Sequence, residues 1–122
     1  MNAVVSTITQ LLPAEIITTD PEQITLYSQD VFTVGPPICA VVRPRNIDEV
    51  QALVRACLER GTPIVTRGGG MSYTSGYIAS APDSVLIDMA SMDAIVEVNL
   101  EDRYVTVEAG GSWQKLHEDL AP

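Results

Sequence analysis

The chain carries little positive charge. Its 122 residues include seven lysines and arginines against sixteen aspartates and glutamates, a formal net charge of −9. A surface of that sign repels phosphate backbones and anionic bilayers, so we expect neither nucleic acid nor a membrane surface as a partner. No stretch approaches the ~18 apolar residues of a membrane span. Met1–Leu12 also lacks the basic start and the apolar run of a signal peptide.

Cysteine and histidine are sparse. Cys39 and Cys57 form no C-x-x-C pair, and we interpret them as buried, reduced thiols of a cytoplasmic protein. His117, the only histidine, has no carboxylate or cysteine at metal-ligand spacing, so we expect a surface or packing side chain and no metal site. A single histidine also argues against a hydrolase triad.

Four segments have the periodicity and caps of helices. Apolar residues recur at helical spacing from Val4 to Leu12, and Pro13 ends that run. Asp20, Asn46 and Ser112 have the residue types and positions of N-caps for three further helices. The third of the four helices should end at Gly61. Its expected buried face consists of Ile47, Val50, Val54, Cys57 and Leu58. The apolar side of the last helix carries Trp113, Leu116 and Leu120.

Short apolar runs between these helices predict strands. The runs at 38–42, 63–66 and 85–89 should share one sheet, with helix 46–60 packed on it, and segments 94–100 and 104–109 should form a hairpin. This order indicates an α/β (α+β) domain, a small sheet with packed helices. The last helix stops abruptly at the end of the chain, so we expect a fragment that exposes apolar surface.

A glycine-rich loop, Thr66-Arg67-Gly68-Gly69-Gly70-Met71-Ser72, follows a predicted strand. Consecutive glycines permit positive φ and close approach of a ligand, and successive N–H groups can bind an anion. Arg67 would add charge and Ser72 a hydroxyl donor, which suits a pyrophosphate. The chain has neither the G-x-x-x-x-G-K-[ST] motif nor a G-x-G-x-x-G that opens a helix. The glycines alone are equally consistent with a flexible surface turn.

Further motifs surround the loop in a fixed order. Val42-Arg43-Pro44 precedes a capped helix, Gly61-x-Pro63-Ile64-Val65 leads into the loop, and Val85-Leu86-Ile87-Asp88-Met89 and Val107-Glu108-Ala109-Gly110 follow it. Together they resemble the FAD-binding domain of the vanillyl-alcohol oxidase / p-cresol methylhydroxylase (PCMH) flavoprotein family, in particular its glycolate oxidase subunit and D-lactate dehydrogenase branch. The resemblance runs from about Tyr27 to Leu120 and covers the first lobe of that domain.

The resemblance implies a cofactor site. The residues that would wrap the FAD pyrophosphate are Thr66, Arg67, Gly68, Gly69, Gly70, Met71 and Ser72. Tyr73 and Gly76 would lie close to the cofactor. Some members of the family attach the flavin through a histidine at the position of Met71. A thioether is not that nucleophile, so we expect FAD to be held non-covalently.

The resemblance also implies a larger protein. The family has a two-lobed flavin domain followed by a substrate-binding cap, so residues 1–122 are expected to be the N-terminal lobe and to be inactive alone. The parent would be an FAD-linked oxidase or dehydrogenase whose small-molecule substrate is a 2-hydroxy acid or a related alcohol. The alternative is a non-catalytic, truncated or split lobe that folds but binds no flavin unaided. Self-association through the exposed lobe surface is a further expectation.

Several polar side chains near the loop have competing interpretations. We expect Arg67 to pair with phosphate rather than to be a solvated loop residue. Tyr73 and Tyr77 either stack near a flavin or pack as half-buried rings, and packing is at least as favoured for Tyr77. Asp88 should cap the turn at Ser91 rather than act as an acid or base.

Overall fold

The computed structural model describes residues 2–121. Its helices are α1 (Ala3–Leu11), α2 (Pro21–Tyr27), α3 (Ile47–Glu59) and α4 (Trp113–Leu120). Its strands are β1 (Ile17–Thr18), β2 (Ala40–Val42), β3 (Ile64–Arg67), β4 (Val85–Asp88), β5 (Ile95–Asn99) and β6 (Tyr104–Val107). Single 3₁₀ turns precede β1 and follow β4. The predicted α/β architecture is confirmed.

N-cap side chains begin three of the helices, and a glycine ends α3, as the sequence predicts. The side chains of Asp20, Asn46 and Ser112 each accept a hydrogen bond from the backbone N–H three residues on, at 3.0, 2.9 and 3.2 Å. These bonds satisfy donors that a helix start leaves without a partner. Gly61 follows α3 with a φ of +61°, the left-handed conformation that ends helices and favours glycine.

The main sheet has the strand order β1-β2-β4-β3. β4 pairs in parallel with both β2 and β3, and α3 connects these two neighbours of β4, which confirms the predicted shared sheet. β1 is not among the predicted strands, and it pairs antiparallel with β2. The first predicted strand is also too long: Ile38 lies outside β2 because its N–H donates to Ser28 Oγ at 3.3 Å instead of to a neighbouring strand.

The sheet buries apolar side chains on both faces. Val42, Val85 and Ile87 pack with the α1 residue Ile8 and the α3 residue Leu53 on one face. The intervening residues Val41 and Leu86 point the other way and pack with Tyr27, Ile38 and Ala79. Because side chains alternate along a strand, burial on both faces requires consecutive apolar residues, as β2 and β4 have.

The buried face of α3 differs from the prediction. Ile47 and Leu58 are 64% and 72% exposed, whereas Leu53, Ala56 and Cys57 are buried. At 3.6 residues per turn, Ile47 and Leu58 lie about 120° and 140° around the helix from Leu53. The apolar stripe is therefore centred on Leu53 and Cys57, and the two outlying residues face solvent.

The β5–β6 hairpin and α4 form the least buried part of the chain. Trp113 is 86% exposed, and Leu100, Val96 and Leu120 are exposed as well, so the expected apolar surface is present. The backbone after the hairpin is anchored by Gly110, whose N–H donates to Met92 O at 2.8 Å. Within residues 2–121, no helix combines the length and apolar character needed to cross a bilayer.

Candidate functional site

Charged residues gather where the three parallel strands end. Arg43 directly follows β2, Arg67 ends β3 and Asp88 ends β4. Arg67 and Asp88 are register partners across the β3–β4 pair. Parallel strands present their carboxyl ends at one edge of the sheet, and ligands of open α/β sheets bind at that edge. The glycine loop therefore leaves the sheet at the position where a ligand site is expected.

The glycines of the loop differ in what surrounds them. Gly70 has a φ of +70°, the left-handed conformation that glycine permits. A Cβ at Gly68 would lie 3.2 Å from Ala109 O, while a Cβ at Gly69 would have no heavy atom within 4 Å. Gly69 thus borders open space, and its lack of a side chain is not explained by packing within the described residues.

Beyond the glycines, the loop is fastened by its own side chains. Ser72 Oγ accepts hydrogen bonds from the N–H groups of Thr74 and Gly76 at 3.3 and 2.9 Å. The Ser72 hydroxyl hydrogen is not used in either bond, so it can still be donated to a ligand. Tyr77 is buried and donates its hydroxyl hydrogen to Gly70 O at 3.0 Å, which favours packing for this ring.

The Arg67 side chain is partly buried beside the loop. Its guanidinium carbon lies over the rings of Tyr27 and Tyr77, 4.7 and 5.4 Å from their centroids. Arg67 Nε is buried and has no hydrogen-bond acceptor within the described part of the chain. A Cβ at Gly70 would lie 2.6 Å from the Arg67 Cζ, so the loop closes directly on the guanidinium.

A buried polar network that the sequence analysis did not predict supports this edge. Asp88 Oδ2 accepts hydrogen bonds from Tyr27 Oη at 2.9 Å and from Arg43 Nε and Nη2 at 3.0 and 2.7 Å. The hydrogen bond to Asp88 raises the pKa of Arg43. Asp88 Oδ1 accepts from Ala90 N at 3.0 Å, so the predicted cap of the following turn is confirmed. Asp88 therefore joins two strand ends to α2.

A cavity of ≈ 480 Å³ lies beside this network and offers a second possible ligand position. Its lining includes Thr18, Gln23, Tyr27, Arg43 and Arg45. Arg45 is paired with Glu49 at 2.6 Å and Glu15 at 3.3 Å, and Arg43 is paired with Asp88 at 2.7 Å. Because both arginines already face carboxylates, the cavity has little excess positive charge for an anion.

Asp30 connects the segment that follows α2 to the residues just after the glycine loop. Asp30 Oδ1 accepts from the N–H groups of Phe32 and Thr33 at 2.8 and 2.6 Å, and Oδ2 accepts from Ser75 N at 3.1 Å. The Phe32 and Tyr73 rings lie 6.0 Å apart, tilted by 51°. These bonds, foremost the one from Phe32 N–H, lower the pKa of Asp30. Phe32, Tyr73 and Met71 are all exposed.

Comparison with known proteins assigns the fold and the loop to one family. The family model described as "FAD binding domain" matches residues 38–122, which include the whole strand-end edge and the glycine loop. The chain therefore belongs to this family of FAD-binding domains, of the PCMH type. The resemblance inferred from the motifs is confirmed.

Individual relatives agree with that assignment. The mitochondrial D-lactate dehydrogenase [cytochrome] of Kluyveromyces lactis is 32% identical over 82 residues, 66% of this chain and 14% of that protein. The glycolate oxidase subunit GlcD of Bacillus subtilis is 35% identical over 71 residues, 58% of this chain and 15% of that protein. The chain thus spans roughly one seventh of these relatives' length.

The fold has solved counterparts. A crystal structure of p-cresol methylhydroxylase with substrate bound superposes with a TM-score of 0.81 and 23% identity, covering 96% of this chain and 24% of that one. At this identity the likeness establishes the fold.

The loop residues fit the phosphate part of FAD. A pyrophosphate needs several donors at close range and tolerates no side chain between itself and the backbone. The open space at Gly69 and the left-handed Gly70 provide such an approach.

His117 is exposed, as expected, and no cluster of metal-ligating side chains occurs within residues 2–121.

Proposed function

We propose that the chain supplies the pyrophosphate-binding part of an FAD site in a flavin-dependent oxidoreductase. The observation that carries the proposal is Gly69, which is exposed, has open space where a Cβ would lie and follows the end of β3. Because no atom of the chain occupies the space beside Gly69, this space is available to a ligand. The N–H groups of Gly68 to Ser72 are the proposed phosphate donors, and Tyr73 and Gly76 lie beside them.

FAD, when bound, would supply the redox chemistry by accepting two electrons from the substrate. The role of this chain is to hold the nucleotide and position it. Met71 is exposed at the end of the glycines and carries a thioether, which does not act as the nucleophile of a covalent flavin link. Non-covalent binding predicts that acid precipitation releases all the flavin into the supernatant. Flavin that stays with the precipitated protein would contradict it.

The proposed substrate is a 2-hydroxy acid or a related alcohol, converted by the whole protein. This proposal is supported by two relatives, a D-lactate dehydrogenase and a glycolate oxidase subunit, because D-lactate and glycolate are both 2-hydroxy acids. Residues that bind such a substrate are not proposed within this chain. Turnover of D-lactate or glycolate by the protein that contains this lobe would test the substrate class directly.

The test of cofactor binding compares Gly69→Val with the wild-type chain. No heavy atom of the chain lies within 4 Å of a Cβ at Gly69, so we expect Gly69→Val to keep the fold. Its side chain would fill the space proposed for phosphate, so we expect FAD affinity to fall at least about 100-fold. Circular dichroism checks the fold, and flavin fluorescence measures affinity. If Gly69→Val binds FAD as tightly as the wild-type chain, the loop is a surface turn and not the phosphate site.

A control variant and the alternative function share the same assay. Gly61→Ala changes another exposed glycine, one with a φ of +61° and no neighbour within 4 Å, and should cost some stability without affecting FAD affinity. If the folded wild-type chain leaves added FAD entirely free, the second candidate function applies, a lobe that folds but binds no flavin unaided. The observation that favours this second candidate is that the chain matches only 14% of the length of the Kluyveromyces lactis relative.

A further inference from the structure

We propose that Arg67 is a positioning residue, which holds the glycine loop in its binding shape through Tyr27, Tyr77 and Gly70 and does not contact the phosphate directly. The expectation from the sequence was a direct Arg67–phosphate pair. The inference rests on the proposed function only for the identity of the ligand. The order of the loop can be measured without any ligand.

The first observation is the direction of the guanidinium. It lies over the Tyr27 and Tyr77 rings, 4.7 and 5.4 Å from their centroids, where the negative faces of the rings attract a cation. Nε is buried without an acceptor among residues 2–121, so solvent and an incoming phosphate are both shut out from it.

The second observation is that both rings are fixed at their hydroxyl ends. Tyr27 Oη donates to Asp88 Oδ2 at 2.9 Å and accepts from Arg43 Nη2 at 2.7 Å. Tyr77 Oη donates to Gly70 O at 3.0 Å. One ring is thus anchored to the sheet edge and the other to the loop backbone, and the guanidinium contacts both.

The third observation is how closely the loop approaches Arg67. A Cβ at Gly70 would lie 2.6 Å from Arg67 Cζ, and Gly70 has a φ of +70°. The backbone therefore bends over the planar guanidinium in a shape that only glycine adopts without strain. Removing the guanidinium would leave this bend without the surface on which it rests, so Arg67 fixes where the neighbouring N–H groups point.

Hydrogen exchange of the loop amides in the ligand-free chain tests the positioning role. We expect Arg67→Ala and Tyr27→Leu each to speed exchange at Gly69–Ser72 about 10-fold, since each removes one side of the same contact. The double variant should be no faster than the faster single variant. Tyr27→Phe keeps the ring face and should stay within about threefold of the wild-type chain.

The matched control is Arg55→Ala, which removes an exposed arginine from α3 and should change neither exchange nor melting temperature. Circular dichroism separates a loosened loop from a loosened fold. Wild-type exchange rates at Gly69–Ser72 in both Arg67→Ala and Tyr27→Leu would overturn the proposal.

FAD titration then separates positioning from direct contact. If Arg67 positions the loop, Arg67→Lys binds FAD as weakly as Arg67→Ala, because lysine keeps the positive charge but lacks the planar guanidinium group that the loop contacts. The dependence of affinity on ionic strength should match that of the wild-type chain, since no ligand contact of Arg67 is lost. Retained affinity in Arg67→Lys, with a weaker salt dependence in Arg67→Ala, would establish a direct phosphate contact and overturn positioning. If no variant, including the wild-type chain, binds FAD, the proposed function fails and the exchange rates alone decide the role of Arg67.

Discussion

Replacing Asp88 by alanine tests the network behind the glycine loop. The Asp88 side chain is 1% exposed, yet it ends β4 as a carboxylate bonded to α2 and to the residue after β2. The substitution removes the acceptor of the Tyr27 hydroxyl at 2.9 Å, of two Arg43 nitrogens at 3.0 and 2.7 Å and of Ala90 N at 3.0 Å. The Tyr27 hydroxyl loses its acceptor in a buried position.

The size of the effect follows from what remains after the carboxylate is gone. Breaking a fully buried ion pair costs about 3–5 kcal/mol because the remaining charge has no partner. Arg43 is 48% exposed at its side chain, so its guanidinium can turn towards water and recover part of that loss. We therefore expect Asp88→Ala to lower the free energy of unfolding by about 2–4 kcal/mol.

Urea denaturation followed by circular dichroism measures this difference. The control is Lys115→Ala, which removes the pair that Lys115 Nζ forms with Asp93 at 2.9 Å between side chains 40% and 45% exposed. A pair of that kind contributes about 0.2–1 kcal/mol. Similar losses of stability for the two variants would show that the Asp88 network is not a structural support.

Two other expectations concern ionisation. The pKa of Asp30 is lowered below its ordinary 3.8, foremost by the hydrogen bond from Phe32 N–H. The ionised Asp30 carboxylate therefore stabilises the fold above its ordinary pKa, and this contribution is lost as pH falls through the lower folded pKa. The amide resonance of Ser75 should shift with pH in that range, and Asp30→Asn should abolish this pH dependence. Burial raises the pKa of Cys39 to about 11, so iodoacetamide at about pH 8 should alkylate it far more slowly in the native chain than in urea. Equal alkylation rates in the native chain and in urea would contradict a buried environment for the Cys39 thiol.

The helices and main strands could be predicted because their signals are local. Asp20, Asn46 and Ser112 cap helices through bonds to residues three positions away, which a sequence displays directly. The strand β1 could not be recognised because Ile17 and Thr18 are too few to show alternation. Its pairing with β2 depends on the whole sheet, not on its own residues.

The glycine loop was found in the sequence, but its support was not. Asp88 bonds to Tyr27 and Arg43, which are 61 and 45 residues away along the chain, so no motif spans them. A signal did exist: Arg43 and Asp88 each stand at the carboxyl end of an apolar run, and such ends meet at one edge of a parallel sheet. The orientation of Arg67 depends on two tyrosines distant from each other and is fixed only by the fold.

Titration of the isotopically labelled chain with FAD, observed through its backbone amide resonances, tests the phosphate site at the glycine loop directly. We expect the largest shifts to fall on Gly68–Ser72, and we expect ADP, which carries the same pyrophosphate, to shift the same amides. Shifts confined to the cavity beside Arg45, with the glycine amides unchanged, would contradict the proposed phosphate site.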